Sequence, residues 1–432
     1  MTTQYGFFID SARCTGCKTC ELACKDYKNL TPEVSFRRIY EYAGGDWQED
    51  NGVWQQNVFA YYLSIACNHC EDPACTKVCP SGAMHKREDG FVVVNEEVCI
   101  GCRYCHMACP YGATLPGRVS LSNLTPMPGR VAIPPVTWRT RRRCEMGNGW
   151  HEWPLMVFTV FGQCVVGGFI VLALALMTGK LSREQEQRVV GSMFGLWVLM
   201  GIGFIASTMH LGSPLRAFNS LNRVGASSLS NEIASGAIFF AVGGIGWLLA
   251  MCKKLPAGLR SLWLVVTMVL GVIFVWMMVR VYNTIDTVPT WYTVWTPLSF
   301  FLTLFIGGPL LGYLLLRVAG VDGWALRLLP VVSLLALLVS IMVVVMQGSE
   351  LATIRSSVQQ ASALVPDYGL LMAWRVVLLA LALACWCVPQ IRGRKPAVSL
   401  LGLAFVLILA GEMIGRGIFY GLHMTVGMAV AS

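Results

Sequence analysis

Histidine is scarce in this sequence, with six in 432 residues, and charged side chains make up only 13% of it. Of those histidines, His151, His210 and His423 alone fall in the apolar C-terminal two-thirds, too few for paired bis-histidine haems. No haem is expected. The N-terminus, MTTQYGFFIDSARC, lacks an apolar signal core and a twin arginine. Export is therefore expected to rely on membrane helices or on a partner. A concentrated basic patch is also missing: the net charge of +9 sits mostly in short loops between apolar runs, where membrane topology accounts for it. No nucleic-acid partner is expected.

What is present is distributed unevenly. Residues 1–113 hold twelve of the seventeen cysteines and carry ten Lys/Arg against fourteen Asp/Glu. Residues 146–432 are mostly long apolar runs, with seventeen Lys/Arg against nine Asp/Glu. Two chemically different domains follow, 1–113 and 146–432, separated by a junction at 114–145. The fold class expected is an α+β ferredoxin-like iron–sulfur domain followed by an all-α polytopic membrane bundle of about eight transmembrane helices.

The cysteines stand in three groups. Cys14, Cys17, Cys20 and Cys24 follow C-x2-C-x2-C-x3-C; Cys67, Cys70, Cys75 and Cys79 follow C-x2-C-x4-C-x3-C; Cys99, Cys102, Cys105 and Cys109 repeat the first spacing. Prolines follow Cys79 and Cys109. Three thiolates from one tight loop can hold three corners of an iron–sulfur cube, and the fourth caps a neighbouring cube. A disulfide knot or zinc is the competing reading, but zinc pairs usually come as two C-x2-C units with no proline after a fourth cysteine. By the crossover rule Cys67, Cys70, Cys75 and Cys109 form one [4Fe–4S] set, and Cys99, Cys102, Cys105 and Cys79 the other. Two clusters are expected. The first group lacks a complementary fourth group, since only Cys144 lies between Cys109 and the membrane half. Cys164, Cys252, Cys385 and Cys387 read as small buried residues, and His69 and His106 as loop-shaping groups rather than ligands. Residues 31–62 read as strand–turn–strand, an insertion suited to partner contact.

In the C-terminal part, eight apolar runs are long enough to span a bilayer, at roughly 153–179, 189–211, 231–252, 261–283, 297–317, 326–347, 370–389 and 398–426. The first, third, fifth and seventh loops hold eleven Lys/Arg (Lys180, Arg183, Arg188, Lys253, Lys254, Arg260, Arg317, Arg327, Arg392, Arg394 and Lys395). The other three loops hold four, Arg216, Arg223, Arg280 and Arg355. The positive-inside rule makes the first set cytoplasmic and places the iron–sulfur domain outside, on the periplasmic side of a bacterial inner membrane. His210 ends the second run and Glu232 opens the third, on the iron–sulfur side. A quinol oxidised there must lose two protons with its two electrons, and His and Glu are suitable acceptors. Interfacial residues reaching for headgroups are the alternative. Glu412 and Arg416, one turn apart in the last run, read as a mutually neutralising structural pair.

CTGCKTCELACKDYK, CNHCEDPACTKVCPSGAM and CIGCRYCHMACPYGA make residues 1–113 resemble the electron-transfer subunit of bacterial anaerobic dimethyl sulfoxide reductase. Residues 146–432, from MGNGWHEWPL to GLHMTVGMAVAS, resemble the membrane-anchor subunit of the same family. The resemblance implies menaquinol oxidation, a molybdopterin catalytic subunit as partner, and four [4Fe–4S] clusters where this sequence supports two. It also implies roles at the quinol for His210 and Glu232, and makes Cys14, Cys17, Cys20 and Cys24 family ligands whose partners are missing here. A truncated electron-transfer subunit fused to an anchor, impaired in relay, is the function expected. Residues 114–145, with five prolines and six arginines, stand where the fourth cysteine group would follow. TPMPGRVAIPPVTWRTRRRCEM can be back-translated so that the next frame reads GDTTGYLANPKEV and stops, which resembles the tail of that subunit. A frame-shifting deletion would then have fused two genes, with Met146 the anchor's former start; codons unable to encode that tail would sink the idea. Two rivals remain: a redox-silent anchor remnant, which would hold no iron, and an ion transporter, which would favour broken helices or an inverted repeat.

Overall fold

The structure is a computed structural model, and it describes residues 8–30, 35–113, 149–321, 323, 327–354 and 360–426. The junction, with Cys144 and its arginines, and Arg355 in the sixth loop lie outside the described residues.

The first cysteine loop leads into α1 (Thr19–Lys28), which buries none of its residues. The backbone then runs out along β1 (Arg38–Gly44) and β2 (Trp47–Asp50) and back along β3 (Val53–Gln56) and β4 (Phe59–Ile65). β1 pairs antiparallel with β4, from Arg38↔Ile65 to Gly44↔Phe59, and β2 pairs with β3. At the tip Asn51 and Gly52 take positive φ, 51° and 82°, the handedness that a two-residue hairpin turn requires. The expected strand–turn–strand is present from residue 38 onward.

α2 (Ala74–Val78), β5 (Met84–Lys86), β6 (Val92–Val94) and α3 (Tyr104–Ala108) complete the iron–sulfur region. β5 and β6 pair in register Met84↔Val94. Their small core joins Cys79, Ala83, Met84 and Val92. Such a core is slight, so the domain draws support from elsewhere: Tyr104 and Ala108 of α3 are buried in the main hydrophobic cluster, continuous with the membrane bundle.

Among the described residues eight helical spans follow, as the apolar runs require. They are α4 (Trp153–Met177), α5 (Arg183–Ser192) with α6 (Phe194–Met209), α7 (Ser228–Met251), α8 (Ala257–Asn283), α9 (Trp295–Val318), α10 (Leu328–Leu351), α11 (Tyr368–Ile391) and α12 (Val398–Gly421). At 1.5 Å per residue a helix of 24 residues extends roughly 36 Å, enough for a hydrocarbon layer of about 30 Å. A 3-10 turn, Gly149–Glu152, leads into α4. The second span starts earlier than its apolar stretch because Ser182 and Gln185 form a reciprocal capping box at the head of α5. The last span stops at Gly421 rather than 426, and the residues after it turn toward the iron–sulfur domain.

α4 and α9 are the most enclosed spans, and α4 packs against α6, α8 and α9. Glu412 lies in a buried polar cluster but does not pair with Arg416. It accepts from Arg375 of α11 at 3.3 Å and from Thr303 of α9 at 2.6 Å. Arg416 turns away, donating to Gln163 of α4 at 3.1 Å with its guanidinium 3.7 Å from the Phe300 ring centroid. Neutralisation between neighbouring helices replaces the one-turn pair expected from spacing.

Candidate functional site

The iron–sulfur domain docks on the bundle end opposite the eleven Lys/Arg, through the segments that carry its second and third cysteine groups. The loop from α6 to α7 forms a 3-10 helix, Pro214–Leu221, beneath it. Arg223 donates to the carbonyls of Thr76 (2.5 Å) and Cys79 (3.2 Å), and Ser227 to that of Val78 (2.8 Å). Arg216 donates to the Glu96 carbonyl, and Asn219 to that of Val98 at 3.2 Å. These two arginines therefore hold protein carbonyls rather than headgroups. At the end of α8 the Val281 carbonyl accepts from Tyr104 (2.5 Å), and from the loop after it Thr287 donates to the Ala108 carbonyl (2.9 Å). His423 Nε2 meets the Met107 carbonyl at 2.9 Å. Burial pushes His423 down to about 4, so the ring is neutral at neutral pH and Nε2–H is the donor.

The closest approach is backbone to backbone. Gly212 N–H donates to Gly101 O (3.2 Å) and Ser213 N–H to Ile100 O (3.1 Å). Gly101 has φ +69°, and a Cβ there would lie 2.8 Å from Gly212 Cα. Anything larger than glycine at 101 would push the cysteine loop off the bundle. This contact sits between Cys99 and Cys102 on one side and two residues past His210 on the other.

Within the domain the thiols assemble across the two groups. Cys67, Cys70 and Cys75 each lie within electrostatic reach of Cys109, and Cys102 and Cys105 of Cys79. Burial pushes Cys75 and Cys102 up to about 12, so these thiols stay protonated unless a cation replaces the proton. Among the described residues no three His, Cys, Asp or Glu stand close enough for a single metal ion. A four-cornered cube asks for a wider thiolate set, and the two crossed sets fit it. His69 cannot also be a ligand through Nδ1, which accepts from Val92 N–H at 3.0 Å. Cys14, Cys17, Cys20 and Cys24 are exposed or half-exposed, around a helix with no core.

Glu232 of α7 is buried, 4% exposed, within electrostatic reach of the Tyr104, Tyr282 and Tyr420 hydroxyls. Among the described residues no ion pair joins His210 to Glu232. His210 instead brings Nδ1 to 3.0 Å from Oε2 of Glu152, at the start of the first span. Sequence reading missed Glu152, because it stands 58 residues away in a segment with no motif. The only available signal was a carboxylate at the head of an apolar run.

Comparison with known proteins agrees with both halves. Residues 146–422 match the family described as DMSO reductase anchor subunit (DmsC), and residues 58–118 match the 4Fe-4S dicluster domain. Over 287 residues, 66% of its length, the protein is 78% identical to the whole of the C subunit of anaerobic dimethyl sulfoxide reductase from Escherichia coli. The C subunit of the Haemophilus influenzae enzyme is 43% identical over 287 residues, 99% of that subunit. Over 113 residues, 26% of its length, the protein is 95% identical to the B subunit of the Escherichia coli enzyme, of which it spans 55%. A segment similar to about half of one subunit is thus joined in one polypeptide to a segment similar to the whole of another, and the protein belongs to the DMSO reductase anchor subunit family.

Proposed function

We propose that this protein oxidises menaquinol at the bundle end beneath its iron–sulfur domain and serves a molybdopterin catalytic subunit of a dimethyl sulfoxide reductase as electron donor and anchor. The observation that carries it is the backbone contact of Ile100 and Gly101 with Gly212 and Ser213, which seats a cluster-type cysteine loop directly beside His210. A quinol held at that seam would be next to a cysteine set that suits an electron acceptor.

Cys67, Cys70, Cys75 and Cys109 would hold one [4Fe–4S] cluster, and Cys99, Cys102, Cys105 and Cys79 a second. Bound clusters supply one-electron carriage. The residues' own task is proton management. Menaquinol releases two protons with its two electrons, and a base must stand within reach of each hydroxyl. We assign one proton to His210 and the other to Glu232, both on the docking side of the bundle. The eleven Lys/Arg at the opposite end favour a cytoplasmic location for that end, in the bacterial inner membrane. The quinol site and iron–sulfur domain would then be periplasmic. We take residues 1–113 as the electron-transfer unit, 114–145 as the junction and 146–432 as the quinol-oxidising anchor. The exposed first cysteine group, with no complementary group, favours an impaired relay to the partner.

The test is menaquinol-analogue oxidation by the purified protein, measured together with its iron content. About eight irons per molecule with slowed oxidation in His210→Ala and Glu232→Ala supports the reading. An iron-free, folded anchor would point to the redox-silent remnant, and unchanged oxidation in both variants would remove their roles.

A further inference from the structure

We propose that Glu152 is the positioning residue of the quinol base, holding His210 as the tautomer whose Nε2 lone pair faces the substrate. The inference rests on the assignment of His210 above and adds to it the residue that makes His210 a base.

His210 Nδ1 lies 3.0 Å from Glu152 Oε2, with side-chain exposures of 7% and 20%. Nε2 of the same ring is buried and has no hydrogen-bond partner among the described residues, a costly arrangement unless something else meets it. Glu152 Oε2 also lacks an aligned hydrogen bond, so at 3.0 Å the carboxylate faces Nδ1 with the N–H direction off line. Such contacts commonly tighten only when substrate arrives.

Glu152 is not a loose interfacial side chain. The turn that carries it packs against α12, where Gly149 abuts Gly417 and Gly421 too closely for any side chain. Trp150 lies over Gly417 on the same surface. Arg103, at the head of α3 in the third cysteine group, and His151 also act electrostatically on the Glu152 carboxylate. Glu152 is therefore within electrostatic reach of the third cysteine group's Arg103 while its carboxylate faces the ring at the end of the second span.

The chemistry follows from the pairing. A carboxylate at Nδ1 favours the proton on that nitrogen, which leaves Nε2 as acceptor. When a quinol O–H gives its proton to Nε2, the ring becomes a cation beside a carboxylate that already faces it. The quinol's two electrons would pass one at a time to the [4Fe–4S] cluster that the adjoining cysteine set would hold, and the proton would leave later to water.

The experiment compares Glu152→Gln, Glu152→Asp, His210→Ala and the Glu152→Gln/His210→Ala double variant in the full-length protein. Glu152→Gln should lower kcat for a menaquinol analogue by roughly tenfold or more with KM little changed, and Glu152→Asp should recover part of the loss. In the His210→Ala background, Glu152→Gln should cost nothing further. Independently of turnover, 15N-histidine NMR should show the His210 signal as Nδ1–H in the parent and as a tautomer mixture in Glu152→Gln. A slow His210→Ala beside a normal Glu152→Gln would overturn this inference and leave the quinol reading standing. A normal His210→Ala would remove both. Additive losses, or an unchanged tautomer, would reduce Glu152 to a packing role.

Discussion

Replacing Glu412 by leucine should strongly destabilise the bundle, and replacing Arg375 with it should restore most of the loss. Glu412 is 2% exposed, and the cations beside it, Arg375 and Arg416, are 6% and 5% exposed. Removing the carboxylate leaves the buried Arg375 guanidinium with no acidic partner among the described residues, and a broken buried pair costs about 3–5 kcal/mol. At about 2 °C per kcal/mol for a protein of this size, the apparent Tm should fall by roughly 6–10 °C. Arg375→Met alone should cost a similar amount, because Glu412 would lose its partner at 3.3 Å. The double variant removes both charges, and apolar replacement of a whole buried pair is often neutral.

With each single change costing about 3–5 kcal/mol and the double variant near neutral, the cycle predicts a coupling of at least about 5 kcal/mol between Glu412 and Arg375. The same cycle with Arg416→Met should give a smaller coupling, since Arg416 is satisfied by Gln163 and the Phe300 face. Thermal scans in detergent at one fixed scan rate provide the readout. Additive losses for Glu412 and Arg375, or a stronger coupling to Arg416, would refute the pairing. Menaquinol oxidation by the double variant should stay near the parent level, as this cluster has no part in the proposed proton transfers.

Three further outcomes follow from the docking and the cysteine sets. Cys102→Ser should lower iron content whereas Cys17→Ser should leave it nearly unchanged; equal losses by iron analysis and low-temperature EPR would contradict the crossed sets. Arg223→Ala removes two charge-assisted hydrogen bonds to Thr76 and Cys79 carbonyls, each worth about 1.5–3 kcal/mol, so amide exchange at residues 76–80 should rise by at least tenfold while the helical spans stay protected. Arg139, Arg141, Arg142 and Arg143 stand within about fifteen residues of the first span, where positive charge opposes export. The N-terminal domain should therefore be distributed across both sides of the membrane, and changing the four to Ser should shift it outward in protease-accessibility assays on spheroplasts; a uniform location insensitive to the change would give the decision to the anchor helices.

The membrane spans were legible because hydrocarbon thickness sets a length that apolar composition reports directly, residue by residue. Their ends were less so. Ser182 and Gln185 extend the second span through a cap, and residues 422–426 are apolar enough to prolong the last span yet leave the helix to meet the iron–sulfur domain. The 4Fe-4S character of the second and third cysteine groups was legible for a related reason, as tight repeated spacing marks thiols that share a loop.

Partners between helices were not legible, and Glu412 shows why. Spacing along one helix puts Arg416 a turn away, and on a solvated surface that pair would gain about 0.2–0.5 kcal/mol. In the bundle the choice is made by which neighbour fills the space. α11 presents Arg375 to Glu412, with Ser340 of α10 also taking a guanidinium proton at 3.3 Å, while Gln163 and Phe300 draw Arg416 to the other side. Desolvation makes every such contact costly to leave unmade, so it outweighs the small local preference. The same argument explains Glu152. Helix packing brings the head of the first span against the end of the second, and the ring of His210 takes the acid that this packing supplies rather than Glu232, which stands on α7 within electrostatic reach of Tyr104.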